Sequence, residues 1–312
     1  MNPIKHHVVL GATGVVGREA TAALRAMGRE VVCVSRSGRP SPGNAALAVD
    51  LLDSAATRRA LHESEVAYLT VGLAYTRKAW RIEWPVILQN TIDACLEHGT
   101  HLVYFDNVYP YGRVEQPMTE STPIRPTSKK GQLRALLLQM LDTAANDRGL
   151  AFTVGRSADF YGPGAATSVF NAFVIDKVAA GKDPTWMLDT HQPHSMTYTP
   201  DIGKALATLG TEPRARGKIW HLPTASALTG DEYMSMASGT PRGHRTMTLT
   251  TLRFGAAFNR AAREALELSY QNSAPYIFDS TLFENTFAIR PTPYADGIHT
   301  AVEAARLLRQ PA

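Results

Sequence analysis

The sequence predicts an α/β fold built on a doubly wound parallel sheet, followed by a smaller and irregular C-terminal lobe. Short apolar segments alternate with amphipathic helical segments through the first half, which is typical of strands covered by helices on both faces. A glycine-rich turn follows the first apolar segment, and the regular alternation ends in the second half. We therefore predict a first domain over residues 1–160 and a second lobe over residues 161–312, parts of which return to the first domain.

Each element follows from an apolar run or from helical periodicity. Strands are predicted over residues 6–10, 30–34, 46–49, 66–72, 101–105 and 151–156, because each run is short and apolar. Helices are predicted after the glycine-rich turn and over residues 54–62, 84–99 and 130–148. In the second half, helical periodicity appears over residues 170–181, 201–210, 252–271 and 297–308, between loops that contain proline.

The composition is that of an ordinary soluble globular protein and excludes several classes. Of the 312 residues, 44% are hydrophobic and 19% are charged, and the net charge of +4 includes no block of like charges. We therefore expect no nucleic-acid partner. No apolar run approaches the roughly eighteen residues of a membrane span, and no secretory signal is apparent. Cys33 and Cys95 lie in apolar segments, which favours free thiols in a cytoplasmic protein.

The glycine-rich turn at residues 11–17 (GATGVVG) is the strongest functional signal. Gly11 permits a tight turn after the first strand, Gly14 lets the backbone approach a phosphate, and Gly17 lets the helix pack closely on the strand. In this position the motif predicts a Rossmann-type domain whose helix N-terminus binds the pyrophosphate of a dinucleotide. The candidate residues of the turn are Gly11, Thr13, Gly14, Val15, Val16 and Gly17.

The end of the second strand predicts NADP as the cofactor, with NAD as the less favoured alternative. An acidic residue about twenty positions after the glycine turn would bind the adenosine ribose hydroxyls and repel a 2′-phosphate. This sequence instead has Ser35, Arg36 and Ser37 at that place. A guanidinium and two hydroxyl groups suit a phosphate, because they can donate several hydrogen bonds to it.

Further motifs follow in order along the chain: Asp50-Leu51, Val71-Gly72, residues 108–112 (VYPYG), 159–164 (DFYGPG), 197–203 (TYTPDIG) and 290–293 (RPTP). With the glycine turn, this series resembles the extended short-chain dehydrogenase/reductase superfamily, in its NAD-dependent epimerase/dehydratase group. The resemblance implies a dinucleotide across the carboxyl ends of the strands, with Asp50 and Leu51 at the adenine. It places Val71, Gly72 and Leu73 along the ribose and pyrophosphate. It also implies a homodimer through the helices at 84–99 and 130–148.

The usual catalytic residues of this superfamily are missing. Its members use a serine or threonine with a Tyr-x-x-x-Lys pair on one helix, where the ammonium lowers the pKa of the phenol and binds the nicotinamide ribose. No such pair occurs in this sequence. Aligned on Pro126 and Gly131, Lys130 takes the tyrosine position and Arg134 the lysine position, while Asn107 replaces the upstream serine.

Three interpretations of this site remain open. Lys130 could replace the tyrosine, with its pKa lowered by Arg134. The chain could instead reduce an activated substrate, an enone or quinone-like ring, with Tyr109, Tyr111 or Tyr161 as the proton donor. The site could also be idle, in an NADP-binding sensor. A cation at a helix start opposes the helix dipole, which favours an anionic neighbour such as a phosphate beside Lys130.

We favour an NADP(H)-dependent oxidoreductase that reduces a small carbonyl or conjugated substrate by hydride transfer. The alternative is a redox-neutral epimerase or dehydratase of a sugar nucleotide, which needs a base at the tyrosine position and commonly holds NAD tightly. The catalytic candidates are Asn107, Lys130 and Tyr111, with Lys130 and Arg134 also as cofactor contacts, and the substrate candidates are Tyr109, Asp159, Tyr161 and His194. No metal site is predicted, because Asp189, His191 and His194 lack an evident fourth ligand.

Overall fold

A parallel seven-stranded sheet forms the centre of the protein and confirms the predicted α/β fold. The computed structural model describes residues 6–39, 45–239 and 244–309. The strands are β1 (His6–Leu10), β2 (Val31–Ser35), β3 (Ala45–Ala48), β4 (Ser64–Leu69), β5 (His101–Asn107), β6 (Phe152–Ser157), β7 (Asp159–Tyr161), β8 (Thr185–Met187), β9 (Pro193–His194), β10 (Met196–Tyr198), β11 (Ile219–His221), β12 (Leu228–Thr229) and β13 (Arg245–Met247). Across the central sheet the order is β11-β6-β5-β4-β1-β2-β3, with every pairing parallel.

Helices cover both faces of this sheet. They are α1 (Val15–Ala26), α2 (Ser54–Ala60), α3 (Arg77–His98), α4 (Lys129–Arg148), α5 (Asp176–Ala179), α6 (Thr199–Thr211), α7 (Gly230–Ser238), α8 (Leu249–Phe258), α9 (Arg260–Leu266), α10 (Thr281–Phe287) and α11 (Tyr294–Leu307). Helices α2, α3 and α4 pack on one face, and α1 and α6 pack on the other. On the central strand β1, Val8 and Leu10 join the first layer and Val9 joins the second, as a strand buried on both faces requires.

Two elements differ from the prediction near the candidate site. Helix α3 begins at Arg77 rather than at 84, and the Thr76 hydroxyl caps it by accepting from the amide of Ala79 at 3.2 Å. Pro85 lies inside this helix, where its missing amide hydrogen removes one hydrogen bond without ending the helix. The helix predicted over residues 252–271 is divided into α8, α9 and a 3-10 helix at Ser269–Asn272.

The second half forms small sheets and an aromatic core. Strand β7 pairs with β10, β8 with β13, and β9 with β12. Strand β11 belongs to the central sheet and helix α6 to the helical layer beside it. The division into a first domain over residues 1–160 and a second lobe stays a prediction. The homodimer also stays a prediction; α3 and α4 expose Ile82, Val86 and Leu136. None of the helices in the described ranges is long and apolar enough to cross a membrane.

A buried ion pair joins the two strands beside the candidate site. Asp106 on β5 and Arg156 on β6 are partners in the sheet register, and both are almost fully buried. The Nε and Nη2 atoms of Arg156 donate to Oδ2 of Asp106 at 3.0 and 2.9 Å. The guanidinium carbon of Arg156 also lies 4.5 Å from the centre of the Tyr111 ring. Each charge is tolerated in this dry position because the other neutralises it.

Replacing Asp106 with alanine should lower the free energy of unfolding by about 3–5 kcal/mol, because Arg156 would keep a buried charge without its partner. Asp93→Ala is the matched control, since it breaks the exposed Asp93–Arg148 ion pair and should cost about 0–1 kcal/mol. Urea unfolding followed by circular dichroism measures both variants. Equal losses would contradict the role given to the buried pair.

Candidate functional site

The glycine-rich turn joins β1 to α1, and the space at Gly11 and Gly17 is too small for a side chain. Gly11 has a φ of 91°, and a Cβ there would lie 2.9 Å from the backbone of Val71. A Cβ on Gly17 would lie 2.2 Å from the Gly11 carbonyl oxygen. Gly14 begins α1 without a side-chain cap, and the first turn of α1 has no acidic residue. The amides of Gly11, Ala12 and Gly14 donate to the carbonyls of Val34 and Gly11, so an incoming anion would meet the amides at the start of α1, where no acidic side chain competes.

A pocket extends from this turn across the carboxyl ends of β4, β1 and β2. It brings together most of the residues predicted for the cofactor: Gly11, Thr13, Gly14, Ser35, Arg36, Asp50, Leu51, Val71, Gly72 and Leu73. Val15, Val16, Gly17 and Ser37 are not among its lining residues, and Val34, Val49, Leu52, Glu83 and Ile87 complete the lining. Glu83 and Ile87 come from α3, and they could not be predicted as lining residues because no sequence motif marks the side of a helix that borders a ligand.

This pocket fits the adenosine and pyrophosphate half of a dinucleotide. The glycine turn leaves the helix N-terminus open to phosphates, as a close backbone approach requires. Apolar side chains, among them Val34, Leu51 and Ile87, offer a surface for a flat base. Ser35 and Arg36 lie at the end of β2, where an adenosine ribose would be expected.

Lys130, at the tyrosine position of the superfamily, lies in a buried ion cluster. Its side chain is 1% exposed, and its ammonium contacts Oε2 of Glu264 and lies 3.3 Å from Oε2 of Glu267. The amide of Lys130 donates to Oε1 of Glu267 at 3.0 Å, and the centre of the Tyr75 ring lies 4.4 Å from the ammonium. The anions at this helix start are thus the protein's own glutamates. The expectation that Arg134 is the charged neighbour of Lys130 is wrong, because carboxylates surround the ammonium.

Arg134, at the lysine position, is enclosed by aromatic rings. Its guanidinium carbon lies 4.3 Å from the centre of the Trp84 ring and 4.9 Å from that of Trp80. Its Nη1 atom donates to the Tyr104 hydroxyl at 2.5 Å and lies 3.8 Å from Oδ1 of Asp106. A cation is therefore kept at this position, but protein groups hold it and almost fully bury it.

Two other catalytic candidates have structural partners. The Oδ1 atom of Asn107 accepts from the amide of Tyr109 at 3.1 Å and fixes the turn after β5. Tyr111 is buried, and its hydroxyl donates to Nε2 of His221 at 2.6 Å. Burial, followed by the charge of the adjacent arginine, lowers the pKa of His221 to about 3, so this ring is neutral and its Nδ1 donates to the Asp279 carbonyl at 2.7 Å. As a correction, Tyr111 is an internal residue and not a proton donor at an open site.

Another polar group surrounds Asp159, where β7 begins. The Asp159 side chain is 39% exposed, and its Oδ2 lies 3.1 Å from Nε2 of His194, which is 2% exposed. The hydroxyls of Tyr75 and Tyr109 lie 3.1 Å apart. Desolvation chiefly, then the Tyr75 phenol and the Asp159 carboxylate, raise the pKa of Tyr109 well above its ordinary value. Tyr109, Asp159 and His194 thus belong to one region.

Tyr161, the remaining substrate candidate, does not join this region. Its side chain is fully buried in the aromatic core of the second half, next to Phe170, Tyr198 and Tyr294. The expectation that Tyr161 contacts a substrate is therefore corrected. Its position in the DFYGPG motif carried no information about which face of the short β7 strand would be buried.

Residues 7–222 match the model of the NAD dependent epimerase/dehydratase family. The chain belongs to this family. The match spans the glycine turn, the whole central sheet and the segment that contains Asp159 and His194, and it confirms the resemblance drawn from the motif series. The comparison with curated proteins gives no match.

Solved structures of three enzymes share the fold at low identity. UDP-glucose 4-epimerase of Thermotoga maritima with UDP-glucose is 17% identical with a TM-score of 0.79, covering 98% of this chain and 100% of that chain. UDP-glucose 4-epimerase of Thermus thermophilus in complex with NAD is 20% identical with a TM-score of 0.76, covering 96% and 99%. DesIV, a dTDP-glucose 4,6-dehydratase of Streptomyces venezuelae with NAD bound, is 18% identical with a TM-score of 0.77, covering 96% and 97%.

The contact between Lys130 and Glu264 should show strong coupling in stability. Glu264→Gln should lower the free energy of unfolding by about 3 kcal/mol, near the lower end for a broken buried pair, because Glu267 still faces the ammonium. Combining it with Lys130→Met should cost less than the sum of the single changes, since the double variant no longer buries the ammonium that Glu264 stabilises. Urea unfolding of the four proteins measures this coupling, and Glu303→Gln at the exposed Glu303–Arg306 pair is the control. Additive losses would argue against a buried ion cluster.

Proposed function

We propose that this protein is a dinucleotide-dependent enzyme that epimerises or dehydrates a nucleotide sugar or a related compound, without net consumption of its cofactor. The pocket at the glycine turn carries the proposal, because it provides the adenosine side of a dinucleotide site in a chain of the epimerase/dehydratase family. Enzymes of the same fold bind UDP-glucose or NAD, which supports this substrate class and this cofactor type.

The chain's own residues would bind and orient the cofactor. The amides at the start of α1 would hold the pyrophosphate against the backbone of residues 11–14, Asp50 and Leu51 would border the adenine, and residues 71–73 would follow the ribose. When bound, the nicotinamide supplies a hydride acceptor and donor for a substrate carbon. The protein must then provide a group that takes and returns the proton of the substrate hydroxyl.

A reductase that consumes NADPH is the second candidate, and one observation favours it. The raised pKa of Tyr109 keeps its phenol protonated at neutral pH. A protonated phenol is suited to donate to a carbonyl oxygen rather than to remove a proton from an alcohol. A redox-neutral enzyme needs a different base, because the ammonium at position 130 is committed to its glutamates.

Cofactor content and turnover separate these candidates. The purified protein is expected to carry bound dinucleotide and to convert a member of a panel of UDP- and dTDP-hexoses, with product seen by NMR. No net change in the near-ultraviolet absorbance of reduced nicotinamide should accompany the conversion. Consumption of one NADPH for each product formed would instead identify the reductase. A protein that binds dinucleotide and converts neither nucleotide sugars nor a panel of carbonyl compounds would be a sensor.

We also propose that NADP is the preferred dinucleotide, on the basis of Arg36 at the end of β2. Arg36 borders the pocket beside Ser35, without a carboxylate on that strand end. Asp50 and Glu83 border the same pocket, and their carboxylates are suited to ribose hydroxyls. NADP is therefore preferred over NAD if the attraction of Arg36 for the 2′-phosphate exceeds the repulsion of that phosphate by Asp50 and Glu83.

Arg36→Glu should weaken NADP binding about tenfold to a hundredfold, because a charge-assisted contact to the 2′-phosphate is replaced by repulsion. NAD binding should change much less, since NAD lacks that phosphate. Arg39→Glu, which changes the same charge three residues further on and outside the lining of the pocket, is the control. Isothermal titration calorimetry with both dinucleotides measures the effect. Tighter binding of NAD than of NADP by the unchanged protein would contradict the proposed preference.

A further inference from the structure

We propose that Asp159 and His194 form the acid–base pair of this enzyme, with Asp159 as the group that exchanges a proton with the substrate. This inference rests on the proposed function, because it supplies the base that a redox-neutral reaction needs. The inference is based on the contact between the partly exposed carboxylate of Asp159 and the buried imidazole of His194, which lie at the sheet edge beyond the cofactor pocket.

The sheet order places Asp159 where the reactive end of a dinucleotide would lie. The pocket occupies the carboxyl ends of β2, β1 and β4, which are successive neighbours in the sheet. The next two strands are β5 and β6, whose carboxyl ends lead to Asn107 and to Asp159. A dinucleotide whose adenosine lies at β2 and whose pyrophosphate lies at the glycine turn continues toward β5 and β6. Asp159 therefore stands at the end of the edge opposite to Arg36.

The nearby alternatives to Asp159 are already committed. Lys130 is held by Glu264 and Glu267, and both of these carboxylates face its ammonium. The phenol of Tyr109 stays protonated because its pKa is raised. Among the side chains discussed for this region, Asp159 combines a carboxylate with access from outside, since 39% of its side chain is exposed.

The hydrogen bonds of His194 show how the pair can hold a proton. Its Nδ1 lies 3.2 Å from the carbonyl oxygen of Gln271, which only accepts, so Nδ1 must carry a hydrogen. Its Nε2 lies 3.1 Å from Oδ2 of Asp159, so a hydrogen must also lie between these two atoms. Because Asp159 is partly exposed to water, we assign that hydrogen to the ring and the negative charge to the carboxylate. His221 contrasts with this arrangement, because its second nitrogen faces a hydroxyl and its ring is neutral.

The surroundings hold the imidazole in place behind the carboxylate. The Tyr276 ring stacks on His194 with centres 5.9 Å apart and planes 22° apart, and the Trp186 ring meets its edge. The carbonyl of His194 itself accepts from the Tyr233 hydroxyl at 2.8 Å. Met196 on β10 lies opposite Asp159 in the sheet register. The ring is thus oriented on every side that the structure describes, as a proton-holding partner requires.

The chemical step balances with the dinucleotide as the redox partner. In the oxidising half-reaction, the substrate O–H bond would break and its proton would pass to the Asp159 carboxylate, while a bound dinucleotide would supply the acceptor for the hydride of the breaking C–H bond. The substrate carbon would thereby be oxidised to a carbonyl, with the dinucleotide as the two-electron acceptor. In the return step the carbonyl carbon receives the hydride and the carbonyl oxygen receives the proton from Asp159. The imidazolium of His194 keeps the carboxylate oriented throughout.

Substitution with chemical rescue tests this assignment in the full-length enzyme. Asp159→Asn should lower kcat about a hundredfold to ten-thousandfold and leave the dissociation constant of the dinucleotide nearly unchanged. Formate or azide should restore part of the turnover of Asp159→Ala, because a small anion can enter the space of the lost carboxylate. Asp189→Asn, which changes a carboxylate hydrogen-bonded to Gln192 and to the amide of His191, should keep the kcat of the unchanged enzyme. Unimpaired kcat in Asp159→Asn, or rescue by no small anion, would overturn the assignment.

A second measurement separates failure of this inference from failure of the proposed function. If the unchanged protein converts no nucleotide sugar, the proposed function fails, and the pair is judged by NMR of isotope-labelled histidine. The expected result at neutral pH is a hydrogen on both ring nitrogens of His194, with the Nε2 hydrogen lost in Asp159→Asn. A ring that carries one hydrogen in both proteins would overturn the proton-holding pair, whatever the activity.

Discussion

The burial of the Lys130 ammonium is the constraint on which the rest of the site depends. A lone charge in such a dry place at a helix start would be strongly destabilising, both through lost solvation and through the helix dipole. Glu264 and Glu267 remove this cost, and in doing so they bring α9 and the turn after it onto the start of α4. Glu264 also accepts from the amide of Arg77, which ties the start of α3 to the same cluster. Three distant parts of the chain therefore meet at one ammonium.

The site has two halves, which differ in whether their polar groups are open to a ligand or paired within the protein. The half at β2, β1 and β4 keeps the glycine turn and an open pocket, as the family requires for its dinucleotide. The half at β5 and α4 has buried cations with internal partners at the positions that align with the tyrosine and lysine of the superfamily. An acid–base group, if the enzyme is active, must then come from a neighbouring strand, and Asp159 is the carboxylate that the sheet order offers.

The fold and the cofactor half could be predicted from the sequence because local rules govern them. Glycine is required at positions 11 and 17 because a side chain there would clash with nearby backbone, that of Val71 for Gly11 and that of Gly11 for Gly17. The strands of the sheet follow from apolar runs that alternate with helical segments. The acid–base half depends on contacts that no local pattern encodes. Glu264 and Glu267 lie more than one hundred residues from Lys130, so the expected neighbour Arg134, only one helical turn away, was the wrong partner. Asp159 and Tyr161 lie on the same face of the short strand β7, and no local pattern shows that the aromatic core covers this face at Tyr161 and leaves it accessible at Asp159.

Electrostatics beneath the sheet edge links the two halves. Asp106 supplies one negative charge between Arg156 and Arg134, so this buried group carries two positive charges against one negative charge. The cluster around Lys130 does not offset it, because its two cations are paired with two carboxylates of its own. The Glu120 carboxylate, which interacts with Arg156, offsets part of it. The excess positive charge is screened little by solvent, since these side chains are almost fully buried. Because Asp106 and Arg156 lie near the carboxyl ends of β5 and β6, at the same edge of the sheet as the glycine turn, this charge favours an anionic ligand along that edge.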